Sequence, residues 1–286
     1  RGILYSLFRA YSAQTRPALM LETAERGRTL QQGLAPDNLQ VMFLAALVEA
    51  HVALGQLGPA WERAGEAIAA ALSMAVPFFA ASTAKTCLEL LTILGAHDDA
   101  ARLLGPLDDA ALRQMPQVVD EMWVAKAQAA LRVGELAAAR VALSKVVDHE
   151  AHEMPRQRSR MLLARAELAW AEGETDLALA TLPGAQAQGM NDELRLYALA
   201  LRVRIEAGRG ALQASSVAAA QATLRSPTCH AMAALALHRA LAEALRVGAA
   251  GVPPSAARDA TDCVQALGRS LHAHPVRQAA FLRWCG

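Results

Sequence analysis

Asp148-His149-Glu150-Ala151-His152-Glu153 is the densest run of potential metal ligands in the chain. Its histidines stand three residues apart, so the run is not the HExxH pair that holds zinc on a helix. His149 with His152 or Glu153 would share one helix face and could bind a divalent ion. The competing reading is a solvated loop between Val147 and Met154-Pro155. Nucleotide hydrolysis has no support, because no GxxxxGK[ST] occurs. A serine nucleophile would need the GxSxG turn, which is also missing. Cys229 and His230 are adjacent in sequence, which does not by itself place a thiol against a base. An enzyme or metal-binding protein therefore has only residues 148–153 to rest on, and no cofactor is expected.

The elements that must carry such groups are helical. Of 286 residues, 66 are Ala and 42 are Leu, while aromatics make up 4% and charged residues 19%. Ala and Leu are strong helix formers, and strands favour the β-branched and aromatic residues that are scarce here. A net charge of +1 excludes a strong field aimed at nucleic acid or anionic lipid. The only lysines are Lys85, Lys126 and Lys145. This Ala- and Arg-rich usage suggests a GC-rich bacterial genome. Cys87, Cys229, Cys263 and Cys285 form no CxxC pair and fit neither zinc nor a disulfide framework, so reduced thiols in a cytoplasm are expected. The uncharged run from Ala67 to Ala84 reaches the length of a membrane span, but Pro77 divides it into two shorter helices. The chain starts at Arg1 rather than Met, as expected for a piece of a longer protein.

Helical segments recur with a period near forty. Glycines at 55, 95, 134, 173, 208 and 248 each close an apolar helix, and glycine ends helices well because it accepts the left-handed cap. Five residues after four of them stand Ala60, Ala100, Ala139 and Ala178, small enough to let a second helix approach the first. Before Gly55, Leu44, Leu47, Val48 and His51 repeat at helical spacing; after it, Leu57, Ala60, Ala64, Ala67 and Ile68 do so. One such hairpin cannot bury its apolar face, whereas stacked neighbours can.

The pattern resembles the tetratricopeptide repeat over residues 17–250. Ala35-Pro36-Asp37-Asn38 looks like the inter-repeat turn, and Trp123 stands at the leading aromatic position. The family's Tyr-like position is filled by His51, Leu91, Ala130, Ala169 and Arg204, and the period exceeds 34. Longer repeats of this kind, with the ending Leu271–Leu282, are similar to the C-terminal sensor regions of large bacterial ATPase-linked transcription regulators of the maltose-regulator type. The fold implied is all-α, a right-handed αα-hairpin solenoid of about six to seven repeats. One domain over 1–286 is expected: an N-terminal hairpin (1–33), core repeats (34–252) and C-terminal capping helices (253–286).

In such repeats the first helices line a concave groove. Counting back from each glycine, the resemblance places Glu49, Lys85, Glu89, Gln128, Arg160, Glu167, Trp170, Arg195, Arg202 and His238 there. Carboxylates dominate the early part and arginines the later part. Arginine forks could hold a carboxylate bidentately, and Trp170 is the best single contact. Trp123 is expected in the core. The plain alternative is a solvated face held by i,i+4 pairs. The expected function is a non-enzymatic module that binds a peptide, protein segment or small polar effector, within a larger cytoplasmic regulator. Neither nucleic acid nor membrane is an expected partner, and an oligomer is left open.

Overall fold

The computed structural model describes residues 1–34, 37–74, 76–108, 110–111, 114–146, 155–185, 190–226 and 229–286. All regular structure among them is helical. The helices are α1 (Gly2–Ala13), α2 (Pro17–Thr29), α3 (Asn38–Ala53), α4 (Leu57–Ser73), α5 (Pro77–Ile93), α6 (His97–Leu104), α7 (Pro116–Arg132) and α8 (Leu136–Ser144). They continue as α9 (Pro155–Ala171), α10 (Thr175–Ala185), α11 (Asp192–Gly208), α12 (Ala214–Leu224), α13 (Ala231–Arg246), α14 (Ala256–Arg269) and α15 (Pro275–Cys285). The uncharged run is divided as expected: α4 ends at Ser73 and α5 opens at Pro77. No helix among the described residues is long and apolar enough to cross a membrane.

Local chemistry explains where the helices start. Proline occupies the first turn of α2, α5, α7 and α15, where its missing N–H costs nothing. Asp37, Asn191 and His230 cap α3, α11 and α13 by accepting from the backbone N–H three residues on.

Glycine sets the hairpin corners, with one correction to the sequence reading. Gly55, Gly95, Gly134, Gly173, Gly210 and Gly248 have φ between 63° and 84°. Gly208 is instead the last residue of α11, and Gly210 makes the fifth corner. The spacings become 40, 39, 39, 37 and 38, more even than those counted with Gly208. At all six corners the residue after the glycine donates its N–H back over five positions. The bonds are Gln56 to His51 O, Ala96 to Leu91 O, Glu135 to Ala130 O, Glu174 to Ala169 O, Ala211 to Glu206 O and Ala249 to Ala244 O, at 2.8–3.0 Å. This is the Schellman closure, which needs a left-handed residue at the glycine.

Beyond the corner, Ala60, Ala139 and Ala178 are fully buried, as a close helix approach requires, while Ala100 is half-buried. The fifth hairpin differs again. Its second helix starts at Ala214, so Val217 and Ala220 take the buried positions.

The chain divides into two compact units. The first comprises Arg1–Asp148 together with Gly268–Gly286, and the second His149–Leu267. In the first, α3, α5 and α7 pack on one another in series, with α4, α6 and α8 as their hairpin partners. Phe8, Met20, Ala24, Ala46, Leu47 and Ala50 form its N-terminal core. In the second, α9, α11 and α13 repeat that arrangement with α10 and α12. Its core runs from Leu163, Leu182 and Leu201 to Val203, Leu237 and Leu241. The last helix, α15, packs against α5 of the first unit.

Candidate functional site

The first helices carry the predicted groove residues, and several of their charges meet an opposite charge on the next first helix. In the first unit Glu49 on α3 accepts from the Ser12 hydroxyl on α1. Lys85 on α5 pairs with Glu121 on α7. Glu89, one turn further along α5, accepts from Arg132 Nε at 2.8 Å. Gln128 is 6% exposed, so its amide belongs to the packed part of that face. The sequence separations of these pairs, 37, 36 and 43 residues, are those of the repeat itself.

The second unit continues the pattern. Arg156 at the start of α9 donates to Glu193 on α11 at 3.1 Å, and Arg204 on α11 donates to Glu243 on α13 at 2.9 Å. Glu193 also receives Asn191 Nδ2 at 3.5 Å and faces His230 Nε2 at 4.0 Å. Burial by itself would raise the Glu193 carboxyl. The facing His230, the Arg156 and Arg160 guanidiniums and the Asn191 bond together outweigh that and hold it down to about 2. Predicted Arg160 is thus part of the field around a carboxylate of its own chain.

The other predicted residues of this unit are spread along the same helices. Glu167 is half-buried on α9, and Arg195 is exposed on α11 with Asp192 at 3.6 Å. With the corner at Gly210 rather than Gly208, the count that gave Arg195 and Arg202 moves two residues on, to Tyr197 and Arg204. Arg202 itself stands 3.9 Å from Glu206, which is buried and accepts from the Gln213 N–H at the corner. Trp170 is half-buried, with the Arg204 guanidinium 5.7 Å from its ring centre. Its indole therefore packs into the α9–α11 core and also meets the charged face. His238 on α13 is half-buried; burial lowers its pKa and Asp259 opposes that shift. Trp123 is buried as expected, with the ammonium groups of Lys126 and Lys145 each 4.4 Å from its ring centre.

Sequence reasoning missed Ser12, Arg156, Glu193, Arg204 and Glu243. Counting back from a glycine places each residue by itself and does not name the partner one repeat away, so these five went unmarked.

The chemical alternatives gain little from the described residues. His149, His152 and Glu153 lie outside them, and among the described residues no three His, Cys, Asp or Glu come together to hold a metal. Burial pushes the Cys87 thiol up to about 12. Burial and Asp192 also raise Cys229, which makes it a poor nucleophile beside His230. No family model matches the chain, and no curated protein matches it.

Proposed function

We propose that the chain is a non-enzymatic binding module, a tetratricopeptide-like right-handed array of about six to seven hairpins. Its first-helix face takes a protein segment or a polar effector. One observation carries this reading: ion pairs run across the face from one first helix to the next. Lys85–Glu121, Glu89–Arg132, Arg156–Glu193 and Arg204–Glu243 tie long, flexible side chains from one first helix to the next. Ordering such a side chain on binding costs about 0.5–1.5 kcal/mol, and here that cost falls on folding instead. Trp170 and Arg204, whose guanidinium lies 5.7 Å from the indole ring centre, offer an aromatic edge and a cation on the same face, which suits a ligand carrying a carboxylate and an apolar group. The resemblance to sensor regions of bacterial regulators supports the further reading that the module reports ligand occupancy to a larger protein.

The test compares wild type, Trp170→Ala and Arg204→Glu in affinity capture, followed by calorimetry with the purified captured partner. Each variant is expected to weaken binding at least about tenfold, equivalent to about 1.4 kcal/mol. Circular dichroism should confirm that both remain folded. Partner affinity unchanged in both variants would reject the reading.

A further inference from the structure

Three corners of the first unit present backbone groups that helix geometry leaves unsatisfied, and the C-terminal segment 268–286 bonds one at the first, two at the second and one at the third. An α-helix has no internal partner for its first N–H groups and last C=O groups. At the first corner, α4 starts after Gln56, whose side chain makes no capping bond. The Leu57 N–H there donates to Ser270 Oγ at 2.9 Å. At the second corner, Arg277 Nη1 donates to Gly95 O at 3.0 Å and to Leu94 O at 3.4 Å. At the third, Trp284 Nε1 donates to the carbonyl of Arg132, the last residue of α7, at 3.0 Å.

The surroundings fit the segment in shape and charge. A Cβ on Gly58 would lie 2.2 Å from the Ser270 carbonyl oxygen, so any side chain there would strike the backbone of the segment. Gly58 thus accounts for a residue that the first turn of a helix otherwise disfavours. A Cβ on Gly95 would meet Ala280 at 3.1 Å, whereas at Gly134, Gly173, Gly210 and Gly248 it would meet nothing within 4 Å, so the close approach is confined to the first two corners of the segment's path. Arg277 lies 4.4 Å above the Trp61 ring with Asp99 at 3.9 Å, and His274 meets Glu62 at 3.2 Å. A guanidinium at the carboxyl end of α5 also has the favourable sign for the helix dipole. Phe281 is fully buried between the Arg277 and Trp284 anchors.

We propose that these three corners form a helix-recognition site for the chain's own C-terminal segment, a latch that seats and releases while the hairpins stay folded. Its code is a helix presenting Arg277, Phe281 and Trp284 at i, i+4 and i+7, preceded by Ser270. The site lies at the corners of the hairpins, and it shares Arg132 with the face proposed above for ligand binding, through the backbone carbonyl rather than the guanidinium. At the three corners the hydrogen bonds that hold the latch are made to main-chain groups, which water can replace when it leaves. Arg277, His274 and Phe281 add the side-chain contacts that give it specificity. The same segment supplied in trans therefore takes the site whenever the latch is out.

The test uses the full chain. A fluorescein-labelled peptide of residues 268–286 is titrated by anisotropy into wild type and into an Arg277→Glu/Trp284→Ala variant, which alters the latch and leaves the corners intact. The variant should bind the peptide saturably and at least about tenfold more tightly than wild type, whose corners are already filled. Adding Gly58→Leu to that variant should abolish the binding. Wild type alone gives a second readout: with isotope-labelled protein, excess unlabelled peptide should speed hydrogen exchange of the 275–285 amides and leave those of α11 unchanged. No saturable binding to the double variant, undiminished binding after Gly58→Leu, or 275–285 amides indifferent to peptide would each overturn the proposal.

Discussion

Glu193 shows how a single side chain can couple the second unit to pH. Its carboxyl titrates at about 2 in the folded chain against 4.5 for an ordinary glutamate. A folded-state pKa below the unfolded one adds stability above the unfolded value, and that stability is lost as pH falls through the folded one. The window is therefore from about 4.5 down to about 2, and the contribution is at most about 3 kcal/mol by the size of the shift. Glu193→Gln should lower the melting temperature at pH 7, because Arg156 then loses its charged partner. Between pH 4.5 and 2 the variant should lose less stability than wild type, so the two melting curves converge; parallel loss in both would contradict the assignment. Cys87 supplies a residue-scale test that involves no substitution. Fully buried, with its thiol raised to about 12, it should resist iodoacetamide at pH 8 until the chain unfolds. Mass spectrometry should find alkylation first at the partly exposed Cys263 and Cys285.

At the scale of the element, two neighbouring glycines should respond with opposite signs. Gly208 lies in helical backbone, exposed, and a Cβ there would meet nothing within 4 Å. Gly208→Ala should therefore stabilise α11 by up to about 1 kcal/mol. Gly210 has φ +66° at the corner, where an added Cβ costs roughly 1–2 kcal/mol, so Gly210→Ala should destabilise. Urea titrations of the two variants check the signs directly. The sequence contains both glycines in Ala207-Gly208-Arg209-Gly210 and cannot by composition say which turns left-handed. It did reveal that a corner falls there, because periodic small residues mark every hairpin. The charged face was legible in the same partial way. Lys85, Glu89 and Arg160 could be placed on first helices by counting from glycine, as could Glu121 and Arg132, but the count does not say which side chains pair from one repeat to the next. The latch was not legible at all. Ser270 meets Leu57 across 213 residues, and no local pattern anticipates a contact of that range.

Chain order and stability need not coincide in the whole molecule. Within each unit the helices touch mainly their neighbours in sequence, so stability should be close to a sum of hairpin and interface contributions rather than one global quantity. The exception is the C-terminal segment, which follows α14 in the chain but belongs to the first unit. Two core truncations separate these possibilities. Leu237 is fully buried in the α11–α13 core, and Leu237→Ala should cost roughly 2–5 kcal/mol by transfer and cavity formation. Native-state hydrogen exchange should then show weaker protection in α11 and α13, with α3 and α5 retaining theirs. Phe281 is equally buried but lies in the first unit. Phe281→Ala should weaken protection in α15 and along α5, nearly 190 residues earlier in sequence, while α13 keeps its protection. Were the array to melt strictly in chain order, the reverse would hold, with α13 and α14 losing protection before α5. Equal loss in every helix from either substitution would instead mark the chain as a single cooperative body. Proximity in space makes Phe281 a core residue of the first unit, and that assignment is what the exchange pattern tests.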